Sequence, residues 1–167
     1  SARAAENGRT VVYPHTVTDR AKPGVIAVDQ TGSRFVNEAV SYHEFVRAML
    51  RSPNRAAMRA HLLCDARFLW RYGLGAIKPF TRRLEAFRRV GYLKSAASIE
   101  SLAAEIGVDA VNLLATVNRY NKAATDGSDP DFGRGSDDYQ RHLGDAAQRP
   151  NPCVAPIIKP PFSAVEL

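Results

Sequence analysis

The segment at residues 23–42 most constrains how this chain folds. It opens on a Pro-Gly turn pair, and the apolar run Val25–Val28 is typical of a short strand buried on both faces. Turn-forming residues follow at 29–32, and residues 34–36 are the predicted returning strand of a hairpin. The polar residues 37–42 then lead into a helix. Loops that leave a rigid scaffold in this way commonly carry function, so the segment predicts both the start of a sheet and the place of a site.

Capping residues mark the predicted helices. Ser41 and Glu44 have the spacing of a capping box for a helix that runs to Leu50. Ser98 and Asp109 are the predicted N-caps of two later helices, each with an apolar stripe at helical spacing. These are the clearest helix predictions in the chain.

The remaining elements are short. They are a strand at 10–13, a helical piece at 54–59, a strand at 61–65, a helix capped by Asp65 and stopped at Gly73, and a strand that begins at Phe162. Residues 73–90 are predicted to be a long surface connection, and residues 127–161 to hold no helix or strand of any length. The pattern predicts an α+β fold in which a small mixed or antiparallel sheet carries helices on one side.

Length and composition indicate a single globular domain. The sequence has 167 residues, of which 45% are hydrophobic and 24% charged, an ordinary balance for a chain with a core. Residues 1–9 are polar and predicted to be loose, which leaves residues 10–167 as the domain. No apolar run is long enough to cross a bilayer, so membrane association is not expected. Cys64 and Cys153 form no disulfide framework, which favours a reducing compartment and the cytoplasm.

The chain is basic, with a formal net charge of +6. Its arginines are scattered, and no nucleic-acid-binding motif accompanies them. Pro53 is expected to break a helix that would align the regularly spaced arginines around it. The charge is therefore interpreted as a solvated face or as a face that contacts another domain, and no nucleic-acid partner is expected.

Three segments carry recognisable motifs. The first is Pro-Gly-Val-Ile-Ala-Val at 23–28 with Gly-Ser-Arg-Phe-Val-Asn-Glu-Ala at 32–39. The second is Thr-Val-Asn-Arg-Tyr-Asn at 116–121 with Gly-Ser-Asp-Pro-Asp-Phe-Gly-Arg at 127–134, and the third is Pro-Pro-Phe-Ser-Ala-Val at 160–165. In this order they resemble the substrate-capping domain of FAD-dependent oxidoreductases of the fumarate reductase and 3-ketosteroid dehydrogenase superfamily. The resemblance extends over about residues 10 to 167.

The resemblance implies that FAD is the cofactor and that the flavin-binding domain of the same parent chain is the partner. A dinucleotide-binding loop needs closely spaced glycines between a strand and a helix, and the sequence has no G-x-G-x-x-G. FAD is therefore expected to be bound mainly by a domain outside this sequence, with no cofactor-binding residue assigned within it. The histidines and cysteines are dispersed, so no metal site is expected.

Tyr42 is the candidate catalytic residue. In the fumarate reductases and succinate dehydrogenases that this chain resembles, the position a few residues after the Asn-Glu pair looks like a catalytic arginine. An arginine there suits a dicarboxylate substrate. In the 3-ketosteroid dehydrogenases that the chain also resembles, the same position is similar to a catalytic tyrosine. That tyrosine removes a ring proton while the flavin takes the hydride. This chain has Tyr42 there and no neighbouring arginine in Ala-Val-Ser-Tyr-His. A phenol has an ordinary pKa of about 10, so it needs help to act as a base.

Five further residues are expected near the substrate or the flavin: Asn37, Glu38, Ser41, His15 and Ser163. Asn37 and Glu38 are interpreted either as residues that orient Tyr42 or reach the flavin, or as a structural network at the strand end. His15 either contacts a ligand or is a hydrogen-bonding surface residue. Ser163 departs from the superfamily, many members of which look to have an aromatic residue there.

Two charge pairs are expected to be structural. Either Arg34 or Arg20 is predicted to pair with Glu38 at the end of the strand. Arg119 and Asp131 are predicted to brace the loop that follows the long helix.

The functional hypothesis is a substrate-capping domain of an FAD-dependent dehydrogenase. The resemblance is nearer to the ketosteroid dehydrogenases and implies desaturation of a small, 3-ketosteroid-like apolar ketone. The full-length protein is expected to be an enzyme, and the fragment alone to be inactive. Two alternatives remain open, which are a fumarate reductase or succinate dehydrogenase-type flavoprotein and a non-catalytic interaction module.

Overall fold

A computed structural model of the chain describes residues 2–6, 9–13, 15–51 and 59–167. It contains a four-stranded antiparallel sheet, a separate two-stranded hairpin and helices between the strands. The α+β prediction is confirmed, with the sheet antiparallel throughout. None of the helices in these ranges combines the length and the apolar character that crossing a bilayer requires.

The four-stranded sheet is built from strands that lie far apart in the sequence. Its order is β3 (Val25–Val28), β4 (His61–Cys64), β6 (Phe162–Glu166) and β5 (Lys94–Ala96). The two apolar runs β3 and β4 are buried along their whole length, as the sequence predicts. The other sheet pairs β1 (Ala2–Glu6) with β2 (Arg9–Tyr13).

The described ranges contain seven helices, several of which begin at a capping side chain. They are α1 (Val17–Arg20), α2 (Tyr42–Arg51), α3 (Ala66–Tyr72), α4 (Glu85–Arg89), α5 (Ile99–Ile106), α6 (Ala110–Ala124) and α7 (Asp138–Leu143). Asp65, Ser98 and Asp109 each accept a hydrogen bond from a backbone N–H in the first turn of α3, α5 and α6. These three predicted N-caps are confirmed.

Helices pack on both faces of the sheet, so the prediction of helices on one side is wrong. Because side chains alternate across a strand, Val25 and Ala27 face one side and Ile26 and Val28 face the other. The first set packs with residues of α2 and α3, among them Phe45, and the second set packs with residues of α5 and α6. A strand that is apolar at every position needs cover on both faces.

Three segments differ from their predicted structure. Residues 34–36 form no strand, because only the single bridge between Val28 and Arg34 follows the turn. Helix α7 lies in the stretch predicted to be irregular, where Asp137 accepts a hydrogen bond from Gln140 N at 2.8 Å as its N-cap. Helix α4 interrupts the predicted connection at 73–90. Both helices are too short to show a periodic apolar stripe, and of the two only α7 has a side-chain N-cap.

The N-terminal segment and the predicted helical piece at 54–59 also need comparison with the structure. Residues 1–9 were expected to be loose, whereas Ala2–Glu6 pair in register with Arg9–Tyr13. Strand pairing satisfies the backbone groups of a polar segment without any apolar pattern in its side chains. The helical piece predicted at 54–59 lies outside the described residues except for Arg59, which is not helical.

Candidate functional site

Glu38 lies at the centre of a buried ionic cluster. Its Oε1 accepts hydrogen bonds from Arg34 Nε at 3.0 Å and from the backbone N of Ala27 at 2.9 Å. Its Oε2 accepts from Arg34 Nη2 at 2.8 Å and from Arg134 Nη1 at 3.2 Å. A carboxylate has about four acceptor positions, and here they are taken. The structural reading of Glu38 as the partner of Arg34 is confirmed.

Arg34 joins this carboxylate to a second one. Its Nη1 and Nη2 donate to Asp129 Oδ1 and Oδ2 at 2.7 Å and 2.9 Å, a two-bonded fork. Burial acts to lower the pKa of Arg34, but the carboxylates of Glu38 and Asp129 outweigh it and hold that pKa above its usual value. Burial likewise acts to raise the pKa of Asp129, and the bonds from Arg34 hold it below its usual value. Each charge in the pair therefore depends on the other.

Arg134 links the ionic cluster to backbone oxygens before and within β3. Its Nη2 donates to the backbone oxygens of Arg20 and Lys22 at 2.6 Å each, and its Nη1 donates to that of Val25. The side chain is 1% exposed. It ties the loop after α6 to the turn before β3, which holds the segment leading to Tyr42 in place.

Arg20 is a third buried guanidinium beside the cluster. Its Nη1 donates to the backbone oxygen of Glu38 at 2.9 Å, and its Cζ lies 4.1 Å from the ring centroid of Phe45. Burial lowers its pKa to about 10, and the phenol of Tyr42 is among the groups that interact with its charge. The carboxylates of Glu38 and Asp19 oppose the effect of burial on this pKa. Arg20 is thus a cation that interacts with the Tyr42 phenol.

Tyr42 is the first residue of α2, and its side chain is 58% exposed. Ser41 Oγ and Glu44 form the predicted capping box before it, with the Glu44 backbone N donating to Ser41 Oγ at 3.3 Å and Ser41 Oγ donating to Glu44 Oε2 at 2.9 Å. Ser41 therefore has a structural role that orients the helix start. The phenol itself points to a surface that is open in this chain.

Asn37 connects the same segment to α7. Its Oδ1 accepts from the Ala39 backbone N at 2.9 Å, and its Nδ2 donates to the Phe132 backbone oxygen and to Gln140 Oε1 at 3.1 Å each. The side-chain amide is fully used. Like Glu38, it positions the chain before Tyr42.

His15 is buried rather than at the surface, with 4% of its area exposed. Its Nδ1 lies 3.8 Å from Asp19 Oδ2. Its ring packs so tightly against Gly75 that a Cβ there would lie 2.4 Å from its Cε1. Its backbone oxygen accepts from Arg20 Nε at 3.4 Å. Burial, with the charge of Arg20 contributing, lowers its pKa to about 4.

We expect His15 to make the fold sensitive to mild acid. In the unfolded chain the imidazole takes up a proton near its usual pKa, whereas in the folded chain it stays neutral until its lowered pKa. Stability is therefore fully present above the unfolded pKa and is lost as pH falls toward the folded one. Between pH 7 and pH 5 the free energy of unfolding should fall by about 2 kcal/mol through this group alone.

Urea unfolding at both pH values tests this expectation. The His15→Gln variant should lose about 2 kcal/mol less than the wild type over the same pH interval, while a variant of the exposed His43 should behave as the wild type. Burial also lowers the pKa of His61, which remains in all three proteins. An equal loss in His15→Gln and wild type would show that His15 is not held neutral.

Ser163 lies in β6 and has different neighbours. Its Oγ is 2.8 Å from Ser95 Oγ on β5, and it lines a groove beside Trp70 on α3. The described contacts of the other predicted residues run through the loops around Glu38 and Arg20. Ser163 is buried, and its described hydrogen bond joins β6 to β5 and does not connect it to those loops.

A family model described as an FAD binding domain matches residues 8–167 of the chain. The chain belongs to this FAD binding domain family. Its predicted resemblance to FAD-dependent oxidoreductases is thereby confirmed.

The chain is also similar to individual proteins of known activity. It is 39% identical over 162 residues to the 4-oxocyclohex-2-ene-1-carboxylate 5-dehydrogenase of Sinomonas cyclohexanicum, covering 96% of this chain and 27% of that protein. It is 31% identical over 157 residues to the 3-oxosteroid 1-dehydrogenase of Mycobacterium tuberculosis, covering 90% of this chain and 28% of that protein. It superposes on a crystal structure of 3-ketosteroid delta1-dehydrogenase from Sterolibacterium denitrificans with a TM-score of 0.89 and 34% identity, over 99% of this chain and 30% of that one. The chain thus spans less than a third of the length of these relatives.

The sequence alone does not predict two residues of the buried ionic cluster. Asp129 and Arg134 lie in the second motif, and the sequence pattern does not predict that Asp129 pairs with Arg34 or that Arg134 pairs with Glu38. The signal that points to them is the motif itself, which brings an acidic and a basic residue into a glycine-rich loop. The pair predicted to brace that loop is confirmed, because Nε of Arg119 on α6 lies 3.0 Å from Asp131 Oδ2.

Within the described ranges, histidine, cysteine and acidic side chains form no group of three or more that is placed to hold a metal ion. Cys64 and Cys153 are both free and buried, and burial raises the pKa of both thiols. Neither cysteine is a reactive thiolate in this environment.

Proposed function

We propose that residues 10–167 are the substrate-capping domain of an FAD-dependent dehydrogenase that desaturates a ring ketone next to its carbonyl group. The observation that carries the proposal is the exposed phenol of Tyr42 at the first turn of α2. A dicarboxylate reductase requires a cation at such a place, whereas proton removal beside a ketone requires a base. The names of the two relatives, one of an oxocyclohexene carboxylate and one of an oxosteroid, both describe dehydrogenases of ring ketones.

The residues present fit a flavin that is held mainly by another part of the protein. The chain has no G-x-G-x-x-G loop to cradle a diphosphate, and Tyr42 is open on the side where a second domain would bring the cofactor. When bound, FAD supplies the acceptor for the hydride. The partner of this domain is accordingly the flavin-binding domain of the same protein, and the two free cysteines support a cytoplasmic location.

The role of this chain is to hold and activate a proton acceptor. In the proposed reaction the Tyr42 phenolate takes the proton from the carbon next to the ketone carbonyl, and the electron pair left on that carbon becomes the new C–C double bond as hydride leaves the neighbouring carbon. Tyr42 lies at the N-terminal, positive end of the α2 dipole, and its phenol interacts with the charge of Arg20. Asn37, Glu38 and Ser41 position the helix start.

Dicarboxylates should be poor substrates. Arg20, the described arginine whose charge interacts with Tyr42, is fully buried, so its guanidinium does not lie on the exposed surface where a dicarboxylate would meet the phenol. An unpaired carboxylate is expensive to desolvate. We expect the full-length, flavin-loaded protein to oxidise a ring ketone with an artificial electron acceptor and to show no turnover of succinate or fumarate. Turnover of either dicarboxylate at a rate matching the ketone would overturn the proposal and favour the reductase alternative.

The 167-residue chain by itself should bind FAD weakly or not at all. Tight binding of the cofactor depends on backbone N–H groups around its diphosphate, and this sequence lacks the loop that provides them. Titration of FAD with the purified chain, followed by flavin fluorescence, should show no saturation at micromolar concentrations. Stoichiometric binding at or below that range would mean that the cofactor site lies within this chain.

A further inference from the structure

A groove beside α3 is not used by the proposed function. It has a volume of about 330 Å³, and its lining residues are Ala66, Leu69, Trp70, Thr81, Arg82, Leu84, Pro161 and Ser163. We propose that this groove binds a small monocarboxylate that carries an apolar ring. The inference goes beyond the proposed function and does not depend on it.

The apolar wall of the groove is organised around Trp70. The Trp70 side chain is 46% exposed, and the more exposed ring of Phe80 meets it edge-on with centroids 5.5 Å apart. Phe80 adopts a φ of 62°, a left-handed conformation that is unfavourable for a bulky residue. Its backbone N donates to the Trp70 oxygen at 2.8 Å. After this turn, Thr81, Arg82 and Leu84 line the groove together with Trp70.

The polar end of the groove carries a single uncompensated cation. Among the residues that the structure describes, no carboxylate lies within ion-pair distance of Arg82. The segment around it is strongly basic, and its one acidic residue, Glu85, is taken by Arg88 at 2.7 Å. An anion that enters the groove therefore meets a free guanidinium, the group best suited to a carboxylate.

A second cavity of the molecule lacks this property. It has a volume of about 250 Å³ and is lined by two arginines, Arg67 and Arg71. Arg67 lies 3.7 Å from Asp65, and Arg71 lies 2.8 Å from Asp145. Its positive charges are already paired, so it offers no comparable attraction to an anion.

The dimensions and donors of the groove restrict the ligand. A cavity of this volume lies at the lower end of the range for small-molecule sites, which suits one ring rather than several. One free guanidinium compensates one carboxylate and leaves a second one unpaired. The hydroxyl of Thr81 already donates to the Lys78 oxygen at 2.6 Å, so Arg82 is the decisive donor. The ring of the ligand would pack against Trp70 and Leu84.

The single tryptophan of the chain makes this proposal directly measurable, because Trp70 lines the groove. We expect cyclohexanecarboxylate, added to the 167-residue chain, to change the tryptophan fluorescence in a saturable manner. Its neutral methyl ester should bind about tenfold more weakly or not at all, since it cannot form charged hydrogen bonds. The Arg82→Gln variant should also weaken binding about tenfold, whereas Arg83→Gln, an exposed arginine that does not line the groove, should bind as the wild type.

Three results would overturn the proposal: no saturable change, equal binding of acid and ester, or equal loss in the two arginine variants. Circular dichroism of both variants confirms that they remain folded. In the full-length, flavin-loaded protein, competition between cyclohexanecarboxylate and a ring ketone substrate would show that the groove is part of the substrate pocket. Binding without competition would show a separate effector site. The fluorescence assay needs no turnover, so it stands even if the proposed reaction is wrong.

Discussion

Replacing Tyr42 with phenylalanine is expected to lower ketone turnover by the full-length, flavin-loaded protein by about a hundredfold or more, the usual scale for a lost acid–base group. The substitution removes only the hydroxyl that is proposed to take the proton. Steady-state rates at saturating ketone, with an artificial electron acceptor, measure the effect. Unchanged turnover would remove Tyr42 from the catalytic role.

The same substitution should leave the stability of the chain nearly unchanged. The Tyr42 side chain is 58% exposed, and a single hydroxyl contributes at most about one hydrogen bond, or about 1 kcal/mol. Tyr139→Phe is a matched control, because Tyr139 is 56% exposed and lies on a different helix. It should change neither turnover nor melting temperature. A Tyr42→Phe protein that melts earlier but turns over normally per folded molecule would show a structural role instead.

Replacing Glu38 with glutamine is expected to lower the free energy of unfolding by about 3–5 kcal/mol, since breaking a buried ion pair leaves the other charge uncompensated. Glu38 is 0% exposed and receives bonds from Arg34 and Arg134. Glutamine keeps the shape but loses the charge, and its amide nitrogen would face one of those donors. A loss of this size is a large part of the stability of an ordinary domain.

Asp131→Asn supplies the matched control for this prediction. It breaks an ion pair with Arg119 whose two side chains are 65% and 29% exposed, so the expected loss is below about 1 kcal/mol. Urea unfolding of the 167-residue chain, followed by circular dichroism, compares both variants. A loss in Glu38→Gln no greater than that in Asp131→Asn would contradict the account of the buried cluster.

Local patterns predicted a large part of the fold. The strands β3 and β4 follow from uninterrupted apolar runs, and the starts of α3, α5 and α6 follow from Asp65, Ser98 and Asp109. The capping box of Ser41 and Glu44 was equally readable. In each case the decisive interaction joins residues within a few positions of one another, so the sequence order already contains it.

Long-range contacts account for what the sequence left open. Glu38 and Arg134 meet only because the loop after α6 folds back over the turn before β3. The burial of His15 depends on Gly75, which approaches it from a distant loop. The groove at Trp70 likewise needs residues of α3, the following loop and β6 to come together. No spacing along the chain encodes these encounters, although the motifs did point to the right segments.

The most direct test of the proposed reaction is a single turnover without oxygen. Mixing the full-length, flavin-loaded protein with a ring ketone in a stopped-flow instrument follows the flavin absorbance and the ultraviolet absorbance of a conjugated enone together. We expect the flavin to be reduced while one enone forms per flavin, and Tyr42→Phe to slow both signals about a hundredfold or more. Flavin reduction by succinate but by no ring ketone, or equal rates in wild type and Tyr42→Phe, would contradict the account.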